Sequence, residues 1–368
     1  MTRIGLLLTL VLSLVACGGG GSPDGGGAKL TDRANSADWT ALDAQLDSYL
    51  TSQNGPLRGY GFVLFSRDGT LHTRVGGNQT VDTVLPIASA SKMPSAAAIL
   101  TLVDSGQLDL DEPVATYIAA AGNPIYWSPD KARITMRMLL AHTSGMIGLS
   151  DSQPNCLDRI LALTLAQCAQ LIAATPLLTA PGTAFNYGGA DYQVAGYVAT
   201  LIAGKDWHQL FHDGIAQPLG LTRFTYGDPA TVLNPRIAGG AESDLGDYAR
   251  ILRMIQNDGA LDGRRVLSSD AVRELKHNNI AGLPIVYAPF PQQARSSYTG
   301  YTLGFWVSSS SLHPGSAGPE FSDPGLFGTT PWIDEDIGYG AILLIDNNTY
   351  TGLDIWNAVR PLIIQQLG

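Results

Sequence analysis

Apolar positions recur at helical spacing in DWTALDAQLDSYLTSQ, where Trp39, Leu42, Leu46, Tyr49 and Leu50 fall near one face of a predicted helix. The period then changes. GYGFVLFSRDGTLHTRVGG contains two runs rich in β-branched and aromatic residues on either side of Arg67-Asp68-Gly69, the pattern of a hairpin. From about Ser89 to Asn278 helical patterns broken by Pro and Gly dominate, over 108–121, 135–141, 156–174, 191–203 and 245–258. Strand patterns return at YTLGFWVSS, GTTPWID and YGAILLIDN, and a last helix is predicted over 352–366. Strands at both ends around a helical middle predict one α/β (α+β) sheet built from both termini, with a cleft where sheet and inserted helices meet. No internal repeat is present.

With 45% hydrophobic and 15% charged residues, the 368-residue chain can bury a large core. A formal charge of −10 leaves no basic stripe to neutralise phosphates, so nucleic acid is not an expected partner. The N-terminus, MTRIGLLLTLVLSLVAC, combines Arg3, an apolar run too short for a stable membrane span, and Ala16 before Cys17. Residues 1–16 therefore read as a signal peptide. The ending Leu14-Val15-Ala16-Cys17 resembles the bacterial lipobox, which implies lipidation of Cys17, and residues 17–29 continue as a Gly-rich tether. The expected location is exported and lipid-anchored, at the outer membrane or cell surface, with residues 30–368 as the folded domain. Cys156 and Cys168 remain as an even pair in an oxidising compartment, open between a disulfide and two buried thiols.

Candidate chemistry starts with PIASASKMPSAAAIL, where Ser89 precedes Lys92 by three residues at a predicted helix start. There the two side chains share a face, and the free N–H groups and dipole of the helix end favour an alkoxide and a neutral amine. A buried neutral lysine can take a hydroxyl proton. On spacing alone an N-cap serine beside a solvated lysine is the commoner arrangement. Ser128-Pro129-Asp130-Lys131 repeats the spacing but has the composition of a cap or turn.

The surroundings separate these readings. DTVLPIASASK, LVDSGQLDLDEPVATYI, ITMRMLLAHTSGM, PGTAFNYGGADYQVAGYV, GGAESDLGDYARILRMIQNDG, RRVLSSDAVREL and YTLGFWV occur in the order found in serine hydrolases of the class C β-lactamase type. That group includes penicillin-binding proteins, D-aminopeptidases and family VIII carboxylesterases. The resemblance, from about Arg58 to Gln366, implies a β-lactamase/transpeptidase-like fold with an antiparallel sheet. It also implies an acyl-enzyme on Ser89, with Lys92 and Tyr187 handling protons and Tyr187 in the role of a phenolate base. The family's Asn two residues after the tyrosine is replaced by Gly189. Asp323-Pro324-Gly325 stands at the family's third motif, with His313-Pro314-Gly315 as competitor. The first choice makes the N–H groups of Ser89 and Leu326 the oxyanion hole. Asp323 in place of a lysine removes the cation expected to bind a substrate carboxylate, which argues against β-lactams and D-Ala-D-Ala peptides.

His208 and His212 lack the flanking carboxylate of a zinc-protease helix, and His142 reads as structural, while the nearby Ser144 has no paired Lys or base. There is no G-x-S-x-G elbow and no nucleotide-binding loop, and no metal or organic cofactor is implied. The expected activity is hydrolysis of a small-molecule ester. A D-specific peptidase or amidase acting on cell-wall material, a penicillin-binding protein, and an inactive binding protein of the same fold remain open. The sequence is silent on oligomeric state.

Overall fold

The computed structural model describes residues 29–52, 56–158, 163–290, 298–308 and 318–368. The signal and lipobox segments, Cys17 and His313 to Gly315 lie outside the described residues. The chain opens with two short helices, α1 (Leu30–Ser36) and α2 (Thr40–Ser48), followed by the hairpin of β1 (Gly59–Ser66) and β2 (Thr70–Gly77). Five strands return near the C-terminus: β3 (Tyr298–Tyr301), β4 (Trp306–Ser308), β5 (Glu320–Ser322), β6 (Thr330–Asp334) and β7 (Tyr339–Ile345). They join the hairpin in one seven-stranded antiparallel sheet of order β2-β1-β7-β6-β5-β4-β3. Pairing of β1 with β7, Tyr60 opposite Ile345 through Ser66 opposite Tyr339, closes the two chain ends into one sheet.

The runs GFVLF in β1 and AILLI in β7 are continuously apolar because the sheet is covered on both faces. Tyr60, Phe62 and Leu64 enter the core shared with α1, α2 and the C-terminal helix α6 (Thr349–Leu367). Val63 and Phe65 enter the larger core shared with the helical insertion, including α3 (Lys92–Asp104), α4 (Ala190–Ala203) and α5 (Leu245–Gln256). Alternation along one strand thus feeds two cores. Arg360 of α6 crosses to the sheet, where it pairs with Glu320 of β5 and Asp334 of β6, all three buried. That pairing keeps otherwise costly buried charges compensated.

Several elements differ from the sequence expectation. YTLGFWVSS is not one strand but parts of two, because Gly304 at φ +134 turns the chain between β3 and β4. The segment 108–121 is helical only over Val114–Ala120, with Pro113 just before the first turn, where a missing N–H costs nothing. Cys156 and Cys168, which the sequence leaves open between a disulfide and two buried thiols, are joined as a disulfide. Among the described residues no helix is long and apolar enough to cross a membrane.

Candidate active site

Ser89 lies where the chain leaves the short strand Leu85–Pro86, which pairs with Glu242–Ser243, and enters α3 through a 3-10 turn over Ala88–Ser91. In such a turn side chains three apart eclipse one another, so Lys92 sits directly beside Ser89. Its Nζ donates to Ser89 Oγ at 3.2 Å and to the Ala238 carbonyl at 2.9 Å. The turn is fixed on two sides. Ser91 Oγ donates to the Ala88 carbonyl at 2.7 Å and accepts from Ala241 N–H at 3.0 Å, while Ile87 N–H reaches the Ala241 carbonyl at 3.0 Å. Ala88, just before the nucleophile candidate, has φ +48, a left-handed conformation costly for a residue with a Cβ. Lys92 is buried, and burial first, with the nearby Arg236 charge adding to it and Asp323 opposing, brings its pKa down to about 8.

Tyr187 follows the strand Phe185–Asn186, which pairs in parallel with Ile285–Tyr287. The Lys92 ammonium lies 4.6 Å from its ring centre, and Tyr187 shares the cavity wall with Ser89. Burial, with Asp323 next, pushes the Tyr187 pKa well above its usual value. The expected phenolate is corrected accordingly: the site holds a neutral phenol whose ring faces the cation.

Behind Tyr187 stands a network that the sequence reading missed. His142 Nδ1 lies 3.2 Å from Asp191 Oδ2, and Ser144 Oγ donates to Asp191 Oδ1. The His142 ring centre is 4.7 Å from that of Tyr187, 5.3 Å from Tyr192 and 5.2 Å from Tyr301. Burial raises the Asp191 pKa to about 8 and holds His142 well below its own. The available signal was a carboxylate on the apolar helix ADYQVAGYVATLIA, to which Ser144 donates a hydrogen bond.

Asp323 does not line the site. It is fully buried after β5, its Oδ2 accepts from Met93 N–H at 3.4 Å, and Oδ1 has no partner among the described residues. Burial drives its pKa well up, with the Lys92 charge working against that. Gly325 makes the close approach instead. A Cβ there would lie 2.1 Å from the Ile87 carbonyl oxygen, so only glycine lets this loop bring Leu326 alongside Ser89 in the wall of one cavity.

That cavity, of about 350 Å³, has Ser89, Lys92 and Tyr187 in its wall and an apolar rim of exposed Leu149, Leu326, Phe327 and Tyr350. At Gly189 a Cβ would meet nothing nearer than 3.8 Å, and φ is −95°, so the backbone does not require glycine. The space an amide side chain would take belongs to the cavity. Leu157, beside the disulfide, lines the same wall.

The remaining candidates lie elsewhere. Lys131 Nζ donates to Ser128 Oγ at 3.1 Å, about as short as the Ser89 contact, but that pair lines no part of this cavity. Proximity of Ser and Lys is therefore not what distinguishes the site. His208 bonds to the Val232 carbonyl at 3.1 Å, and exposed His212 lies 3.0 Å from Asp213.

Comparison with known proteins gives three informative matches. The chain is 31% identical over 241 residues to penicillin-binding protein 4 of Amycolatopsis lactamdurans, covering 58% of this chain and 61% of that protein's length. It is 25% identical over 329 residues to the esterase/β-lactamase LipL of Mycobacterium tuberculosis, covering 74% and 71% respectively. A Bacteroides dorei crystal structure with a provisional β-lactamase assignment superposes with a TM-score of 0.74 at 26% identity, over 89% of this chain and 99% of that one. The β-lactamase family profile matches residues 50–358, and the chain belongs to this family of serine hydrolases.

Proposed function

We propose that this protein is an exported serine hydrolase acting through an acyl-enzyme on Ser89, with carboxylic esters as its first substrate class. One observation carries the reading: a lysine amine with its pKa down at about 8 lies 3.2 Å from a serine hydroxyl that opens on a largely apolar cavity. Neutral Lys92 takes the Ser89 proton as Oγ attacks the acyl carbon. The N–H groups of Ser89 and Leu326 receive the developing oxyanion. Neutral Tyr187 gives its proton to the leaving alkoxide and recovers one from the Lys92 ammonium, and water then releases the acid.

Gly189 and the exposed rim favour an acyl chain over a peptide side chain that needs an amide to hold it. The similarity to LipL points the same way. The test is a panel of 4-nitrophenyl esters of increasing chain length: Ser89-dependent turnover supports the reading, and no turnover of any member overturns it. A peptidase, amidase or penicillin-binding role is the second reading, favoured by the 31% identity to penicillin-binding protein 4. It predicts Ser89 acylation by penicillin. Membrane attachment through Cys17 is the localisation counterpart: Cys17→Ser should move the protein to the soluble fraction, and retention on membranes would overturn it.

A further inference from the structure

Arg236 lines the active-site cavity, exposed and without an ion-pair or hydrogen-bond partner for its guanidinium among the described residues. Its position is set by a rigid turn. The Arg236 carbonyl accepts from Gly239 N–H at 3.1 Å and from Gly240 N–H at 2.7 Å, and a Cβ on Gly240 would lie 2.8 Å from the Arg236 Cβ. Ile237 N–H donates to Gln193 Oε1 at 3.1 Å, and the Ile237 carbonyl accepts from Ser95 Oγ of α3 at 2.8 Å. Two residues after Arg236, the Ala238 carbonyl holds Lys92 Nζ at 2.9 Å. One turn thus anchors the base beside Ser89 and presents a second, unneutralised cation to the same cavity.

Among the described residues no carboxylate lines that cavity, and Asp323 is buried behind it. A guanidinium presents paired donors that match an oxyanion in two bonds, and it stays charged at any working pH. An arginine beside a catalytic amine also has an electrostatic cost, because it disfavours the ammonium that forms during turnover. An anionic substrate group would offset that cost.

We propose that Arg236 is a specificity-determining residue that pairs with a carboxylate on the substrate. The preferred substrates are then esters carrying an anionic group a few bonds from the scissile carbonyl. This rests on the serine hydrolase reading and refines its substrate class. It also revises the expectation from Asp323: the missing third-motif cation does not leave the site without one.

The test compares 4-nitrophenyl butyrate with the 4-nitrophenyl half-ester of glutarate, which share a leaving group and differ by one carboxylate. In the Arg236→Gln variant the ratio of kcat/KM, half-ester over butyrate, should fall on the order of tenfold to a hundredfold. Arg236→Glu should lower it further and Arg236→Lys should keep part of it. The ratio matters because removing this charge also shifts the Lys92 titration, which affects both esters alike. Added salt should erode the ratio in the parent protein and not in Arg236→Gln. A ratio unchanged in the Gln and Glu variants overturns the proposal. If neither ester is turned over, the ester reading fails separately, and Arg236 is then tested by thermal shift with butylboronic acid and 4-boronobutanoic acid. Both can bond Ser89 without turnover. Extra stabilisation by the carboxylate form that disappears in Arg236→Gln supports the proposal, and its absence overturns it.

Discussion

The inner wall of the cavity and its rim follow opposite rules. Lys92 and Tyr187 in that wall, and His142, Asp191 and Asp323 behind it, are all buried, and burial is the first cause of each pKa displacement. At the rim, Leu149, Arg236, Leu326, Phe327 and Tyr350 are exposed around an apolar opening. The difference teaches where each property resides. Proton chemistry depends on a dry, fixed set of groups, whereas substrate choice depends on side chains that keep contact with water until a ligand covers them.

The sharpest way to break this contrast is at the base. Lys92→Met should lower kcat/KM for any ester on the order of a hundredfold to ten-thousandfold while leaving the fold intact, as followed by circular dichroism and initial rates. A smaller but still large loss is expected from Gly325→Ala. Its new Cβ would collide with the Ile87 carbonyl and push Leu326 away from Ser89, costing roughly a hundredfold in kcat with little change in KM.

The pH profile tests the electrostatics directly. With neutral Lys92 as the proposed base, kcat/KM should rise with pH and level off above a pKa of about 8. Asp323 favours the ammonium, so Asp323→Asn should move this rising limb to lower pH; a limb that stays or moves up would remove Asp323 from the account. The smallest effect is expected at the rim. Leu149→Ser and Phe327→Ser should reduce the preference for longer acyl chains by only a few-fold each, read as the kcat/KM ratio of octanoate to acetate esters.

The same contrast governs what was legible in the sequence. The outer framework was readable because GFVLF and AILLI announce strands covered on both faces, and the hairpin at Arg67-Asp68-Gly69 has strong turn chemistry. Ser89, Lys92 and Tyr187 were readable because short-range spacing and ordered motifs carry them, and the structure brings the three together. Asp191, His142 and Ser144 were not, because their partnership depends on α4 packing over a loop 47 to 49 residues distant in sequence. Arg236 was missed for a related reason: a single arginine in NPRIAGG has no local mark, and contacts distant in sequence, from Lys92, Ser95 and Gln193, place its turn at the site. Asp323 was found, but its burial behind the wall could not be read from Asp323-Pro324-Gly325 alone.

Everything proposed for this site turns on Ser89 as a nucleophile activated by Lys92. Intact-mass spectrometry after exposure to a fluorophosphonate, with Ser89→Ala and Lys92→Met as controls, tests it most directly. The expected result is a single covalent adduct on the parent protein, none on Ser89→Ala and much slower labelling of Lys92→Met. An unlabelled parent protein, or an adduct that persists in Ser89→Ala, would contradict it.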